Sequence, residues 1–318
     1  MAAHESGGRV ARQGGVALIS VLMVTAILIG LTTQILSSHH LVTNQHQHSF
    51  ERAQALQYAF GAEELARQTL YDDAVNSGPG VDHLDEIWAQ PVLPLDLDGV
   101  GVMQAAIVDL NGCFNLNRLA DDSNQLHVKR LRQLLGNLQL SQDLADLIRD
   151  WVDSDQLVSG LGAEDSAYQL KSPPHFAANQ PMVDLSELNA LLDADAAEIA
   201  VLAQNVCLLP DTQSKINVNT ATAVTLATLD PAVSLADAQV IVESPRNYQS
   251  VSDFVQSYPA FTAVEKDLSV SSDYFLLVVE ARLNRSRVTL TSLLYRDGND
   301  GQVTLLRRDF GKRFDAKT

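Results

Sequence analysis

QGGVALISVLMVTAILIGLTTQILSSHHLVTNQHQHSF, residues 13–50, contains no Asp, Glu, Lys or Arg. Within it, Val16 to Leu36 is a run of 21 mostly apolar residues. About 20 such residues cross the roughly 30 Å hydrocarbon core of a bilayer as a helix. The polar segment before the run carries Arg9 and Arg12 against Glu5, and positive flanks stay cytoplasmic, so the N-terminus is expected inside and the remainder outside. Beyond a polar, His-rich stretch, Ala53, Leu56, Phe60, Ala66 and Leu70 recur at helical spacing, with no breaker until Gly78-Pro79-Gly80. The expectation is one helix of about 55 residues, its first half in lipid and its second half laying an apolar stripe on a folded head.

Outward from this rod, Val92–Leu97 holds two prolines and is expected as edge strand or loop. Gly101–Leu110 is a better strand candidate and ends at the turn dipeptide Asn111-Gly112. From about Leu119 the pattern turns helical: Gln125–Leu138, Ser141–Val152, Asp195–Gln204, Ala221–Leu229, Leu235–Glu243 and Val251–Tyr258, with helix starts at Ser141/Asp143 and Ser186/Glu187. Tyr274–Arg282, Ser286–Arg296 and Gln302–Arg307 are rich in β-branched residues, and the last two flank the hairpin signal Asp297-Gly298-Asn299-Asp300-Gly301. This order gives an α+β chain: a long N-terminal transmembrane helix packed on a small antiparallel sheet, with a large all-α domain inserted into it. The expected divisions are a leader (1–15), the membrane span (16–36), the outer helix and first strands (37–118), the inserted domain (119–272) and the last strands (273–318).

The net charge of −17 repels phosphate backbones and argues against nucleic acid as a partner. No HExxH, GxSxG, P-loop or CxxC motif occurs, so no enzyme class is indicated. His39, His40, His46 and His48 do not share a helix face in adjacent pairs and are read as a polar juxtamembrane stretch. The two cysteines, Cys113 and Cys207, are compatible with one disulfide outside the cytosol or with two buried thiols. An acidic group, Asp150, Asp153, Asp155, Glu164 and Asp165 with Asp184 further on, offers oxygen ligands for a divalent cation, although its spacing is not that of an EF-hand; solvated helix ends explain any single member equally well.

Three readings of the N-terminus compete: a secretory signal peptide, a plain uncleaved anchor, and a leader cut before the apolar run. Gly14-Gly15 directly before VALISVLMV resembles a class III prepilin leader, with the cut between Gly15 and Val16. Further along come YAFGAEELARQTL, DLNGCFNLNRL, DWVDSDQ, GAEDSAYQL, AANQPMVDLSEL, INVNTATA and DYFLLVV. In order and over nearly the whole chain, these resemble the landmarks of the type II secretion system protein K family.

That resemblance implies a pilin-like fold with a large inserted helical domain and a minor pseudopilin's role at the pseudopilus tip, not an enzyme's. It implies a single-pass inner-membrane protein with a periplasmic head, trimmed by prepilin peptidase and N-methylated at Val16. The implied partners are the minor pseudopilins I and J, then H and the major pseudopilin G, together with inner-membrane lipid. The Cys113–Cys207 pair matches CFNLN and a later Cys-x-Leu-Pro in family members, which implies a disulfide. The family is linked to bound calcium, which points to Asp153, Asp155, Glu164 and Asp165 as ligand candidates. Ser20 stands where most pseudopilins carry a Glu, a departure shared by protein K; a tip subunit has no subunit above it to neutralise a costly carboxylate in the bilayer. INVNTATAVTLATL resembles the opening of a helix-hairpin-helix (SAM-like) unit, and a membrane-anchored DNA-uptake receptor is the competing function. Its hairpin here is Leu229-Asp230-Pro231-Ala232-Val233, where an acid repels phosphate and a proline supplies no amide to hold it.

Overall fold

The computed structural model describes residues 14–76, 80–90, 94–97, 99–120 and 125–311. Residues 1–13 of the expected leader lie outside them.

Helix α1 runs from Gly14 to Asn76, 63 residues, about 95 Å of axis at 1.5 Å per residue. Its apolar part, Ala17–His39, has a mean hydropathy of 2.1, and no residue of that span is buried against the rest of the chain. From Glu51 onward one face is covered: Glu51, Ala55, Ala59, Ala62, Glu63, Ala66 and Leu70 are buried, at the three- and four-residue steps of one helix stripe. The expected stripe is therefore rotated. Ala53 is exposed, while Leu56 and Phe60 flank the contact. Small side chains line the contact because the bulk is supplied by the sheet, through Phe275, Leu277, Val279, Leu290 and Leu294.

Nine strands follow among the described residues: β1 (Leu95–Asp96), β2 (Gly101–Asp109), β3 (Phe114–Asn115), β4 (Val206–Cys207), β5 (Ile216–Asn217), β6 (Leu268–Ser269), β7 (Tyr274–Leu283), β8 (Ser286–Arg296) and β9 (Val303–Asp309). The main sheet has the order β1-β2-β7-β8-β9, antiparallel at every step. The expected edge strand is the two-residue β1; residues 91–93 of that segment lie outside the described residues. The loop at 297–301 joins β8 to β9 as its composition indicates. The tight β7–β8 turn carries Asn284 at φ 48°, a left-handed position that asparagine tolerates.

β2 and β7 pair from Gly101↔Leu283 to Asp109↔Phe275, so the chain leaves the sheet after Asp109 and re-enters at Tyr274. The intervening segment contains α2 (Gln125–Asn137), α3 (Leu144–Val152), α4 (Asp165–Tyr168), α5 (Ala196–Ala203), α6 (Ala223–Ala227), α7 (Leu235–Glu243) and α8 (Val251–Ser257). It buries two apolar clusters. One is built on Leu131, Leu135, Ile148, Trp151, Tyr168 and Leu202, the other on Val218, Leu226, Phe254 and Phe261.

The segment departs from the all-α domain expected from sequence. Two short parallel pairs, β3 with β4 and β5 with β6, close its ends; two-residue strands leave no periodicity to detect. The helix start expected at Ser186/Glu187 is a 3-10 turn, Leu185–Ala190, capped two residues before Ser186. Asp184 accepts the Ser186 N–H at 2.9 Å, and Glu187 accepts the Asp184 N–H at 3.1 Å, a capping box. At Ser141/Asp143 the regular helix begins only at Leu144.

Candidate metal centre and structural junction

The acidic group is organised by α3. Asp146 and Asp150 lie one turn apart, and Asp153 sits at the C-cap. The loop 157–162 passes directly over them. Asp150 accepts the Ser159 N–H through both oxygens, at 3.2 and 3.0 Å. Asp146 accepts the Leu161 N–H at 3.2 Å and pairs with Arg132 at 2.5 Å. The approach is so close that a Cβ on Gly162 would lie 2.1 Å from an Asp150 oxygen.

Asp153, Asp155 and Glu164 converge, each offering an oxygen within 4.8 Å of the others. Asp153 and Glu164 are 1% and 2% exposed. The nearby cation is Arg149, at 3.7 Å from Asp153. Both Glu164 carboxylate oxygens are buried without a hydrogen-bond partner. Burial, and then the charges of Asp150, Asp153 and Asp155, push the Glu164 carboxyl up to about 7. Asp165, expected among the ligands, lies outside this convergence; its Oδ1 accepts the Ala177 N–H at 2.9 Å. Asp184 likewise serves as a cap. An all-oxygen set of two buried carboxylates and one half-buried one, with Glu164 orphaned, fits a hard divalent cation such as calcium.

Cys113 and Cys207 are bonded to one another, with Cα atoms 5.9 Å apart across 94 residues of sequence. The bond ties the turn after β2 to β4, beside Leu110, Leu209 and Tyr274. Next to it, a buried polar network joins sheet and excursion. Asp109 accepts hydrogen bonds from Thr220 Oγ1 (2.5 Å), Ser272 Oγ (2.6 Å) and Asn217 Nδ2 (3.3 Å), and burial pushes its carboxyl up to about 6. Asn111 accepts the Tyr274 N–H at 3.0 Å and donates to Lys215 O at 3.1 Å. Asn117 brackets Met182, donating to its carbonyl at 2.9 Å and accepting its N–H at 2.8 Å.

The asparagines of DLNGCFNLN and INVNTA thus replace secondary structure as partners for buried loop backbone. Sequence reasoning did not assign them this work. The signal was there in the repeated Asn-x-Asn spacing, since Asn115 and Asn217 each accept the N–H two residues on. In the segment resembling a helix-hairpin-helix, α6 and α7 pair through the second cluster, and Asp230 in the connecting loop accepts the Ala232 N–H at 2.8 Å.

Two family models, both described as "Type II secretion system (T2SS), protein K", match residues 112–211 and 216–275. The chain is 35% identical to Type II secretion system protein K of Pseudomonas aeruginosa, over 94% of this chain and 93% of that one. The chain belongs to the type II secretion system protein K family. A relative from Klebsiella pneumoniae is 33% identical over 90% of this chain and 94% of its own. The protein K of the crystal structure of the GspK-GspI-GspJ complex from enterotoxigenic Escherichia coli superposes with a TM-score of 0.75 at 28% identity, covering 85% of this chain and all of that one. The two protein K models divide the excursion where its apolar clusters divide, in the loop between Cys207 and Ile216. As a protein K, the chain is a type II secretion minor pseudopilin with a candidate N-terminal transmembrane helix.

Proposed function

We propose that this minor pseudopilin occupies the tip of the type II secretion pseudopilus, supports its initiation, and so serves export of folded proteins across the outer membrane. The supporting observation is the placement of the excursion. It leaves β2 at Asp109, beside the outer end of α1, whereas the membrane-side end of the sheet meets α1 at His48 and Glu51. The bulk of residues 119–272, read as an inserted SAM-like domain, therefore stands at the end away from the bilayer, where it obstructs a further subunit.

On this reading the span 16–36 sits in the inner membrane and the head in the periplasm. Prepilin peptidase cuts between Gly15 and Val16, and Val16 is then N-methylated. The disulfide of Cys113 and Cys207 persists in that oxidising compartment. Asp153, Asp155 and Glu164 hold calcium, which neutralises three converging carboxylates and fixes the loop over α3. The chain carries no catalytic group and takes no nucleic acid. Its immediate partners are the minor pseudopilins I and J, as in the complex from enterotoxigenic Escherichia coli, followed by H and the major pseudopilin G.

Two measurements test the reading. Mass spectrometry of the membrane-extracted protein is expected to find a chain beginning at N-methylated Val16; a start at Met1 or beyond Leu36 contradicts it. Co-purification with cognate I and J is expected to yield a ternary complex. A protein that ignores both and binds DNA in a salt-dependent manner is a different molecule.

A further inference from the structure

The disulfide of Cys113 and Cys207 is not symmetric toward solvent. Cys207 lies in β4, paired with Asn115 of β3, and is 5% exposed. Leu209 and Tyr274 pack around it. Cys113 lies in the turn between β2 and β3 and is only half-buried.

Both cysteines line a groove of about 550 Å³ between the outer end of the main sheet and the excursion, within the size range of pockets that take a ligand. Its walls are apolar, with Leu84, Leu110, Leu185, Leu208, Leu276 and Leu293. Leu84 and Gln204 are exposed at its mouth. Two charged side chains also line it. Asp109 is taken up by its three side-chain donors, and Arg307 lies 3.8 Å from Asp184. The bond is thus reachable from outside, on one sulfur more than the other.

In thiol–disulfide exchange a thiolate attacks one sulfur and expels the other. Two effects compete in choosing the sulfur. Access favours attack on Cys113. Leaving-group acidity opposes it, because such attack expels Cys207, whose surroundings disfavour an anion. The Tyr274 hydroxyl beside it is pushed up to about 12, by burial and then by the Asp211 charge. The second effect is graded and slows the displacement without forbidding it. A sulfur enclosed by packed side chains stays inert while the fold is intact, so access decides.

We infer that Cys113 is the exchange site of the pair, reached through this groove by the reactive cysteine of a Cys-x-x-Cys oxidoreductase, and that Cys207 is the resolving thiol. When the bond is made, the Cys113 thiolate attacks the oxidoreductase disulfide, and one sulfur of that protein leaves as thiolate. The Cys207 thiolate then attacks the Cys113 sulfur of the mixed disulfide and expels the second. Two electrons pass to the oxidoreductase, and the two protons lost by this chain convert its thiolates to a dithiol. The inference rests on the reading of the head as periplasmic, the compartment in which such bonds are made.

The test uses the oxidised full chain and a thioredoxin-fold oxidoreductase altered to Cys-x-x-Ser, whose single thiolate stays joined to the sulfur it attacks. Peptide mapping of the acid-quenched adduct is expected to place the probe on Cys113 at least about tenfold more often than on Cys207. That preference is expected to disappear in denaturing guanidinium. Gln204→Trp, which narrows the groove from an exposed position, is expected to slow adduct formation at least about threefold. An adduct chiefly on Cys207, an even split in the native chain, no adduct before denaturation, or an unchanged rate in Gln204→Trp overturns the proposal. The mapping uses the unaltered chain and stands even where the variant fails to fold. Thiol titration of the membrane-extracted protein checks the compartment separately: two free thiols there overturn the periplasmic reading itself.

Discussion

Arg296 on β8 and Asp82 in the segment after α1 form a fully buried ion pair, one guanidinium nitrogen lying 2.5 and 2.6 Å from the two carboxylate oxygens. Its second nitrogen reaches Asp73 on α1 at 3.1 Å, and Asp82 also accepts the Ser272 N–H at 2.7 Å. One arginine thus fastens the end of the rod, the end of β8 and the return point of the excursion. Removing one member of a buried pair strands the other charge, at a cost of about 3–5 kcal/mol. Asp82→Ala is expected to destabilise by that amount in denaturant titration, and a loss below about 1 kcal/mol contradicts the assignment.

Cys113 and Cys207 close a loop across 94 residues. In the chain-entropy account such a cross-link stabilises by about 4–5 kcal/mol. Cys113→Ser/Cys207→Ser is expected to lower the unfolding midpoint accordingly. Adding reductant is expected to do the same to the parent chain and to leave the double variant unchanged.

The convergence of Asp153, Asp155 and Glu164 predicts a link between calcium and pH. A carboxyl whose folded-state value is raised binds its proton more readily when folded, so its contribution to stability is present at low pH and lost as pH rises from about 4.5 to about 7. In chelator, Glu164→Gln is expected to be more stable than the parent at pH 8 and less pH-dependent over that window. A cation bound only to the folded state reverses the order: at about a hundred times its dissociation constant it adds about 2.7 kcal/mol to the parent. Calcium is expected to raise the parent's melting temperature and to raise that of Glu164→Gln much less. Identical calcium responses remove Glu164 from the site. Asp165→Asn is expected to keep the calcium response.

The alanine stripe predicts an overpacking penalty. Ala59 is fully buried between α1 and the sheet. Ala59→Leu is expected to cost about 1–3 kcal/mol, while Ala53→Leu, on the exposed face, is expected to change stability by less than about 0.5 kcal/mol. Thermal unfolding of the two variants side by side checks the rotation of the helix face.

The sequence alone determined the rod, its apolar run and the long strands of the main sheet. An uncharged run of this length has one stable form in a bilayer, and alternating β-branched segments around Asp297–Gly301 pair as neighbours whatever surrounds them. Helix periods likewise placed α2, α5 and α7 to within a residue or two. The tertiary structure decided which face of α1 is buried, because side-chain size at a contact depends on the partner's bulk. It separated Asp153, Asp155 and Glu164 from Asp165, because adjacent residues in a loop can point to different elements. It also turned the asparagines of DLNGCFNLN and INVNTA into braces for loops nearly 100 residues away. Local patterns are written in the period of one element, whereas burial, charge convergence and backbone bracing arise only when distant segments exclude water from one another.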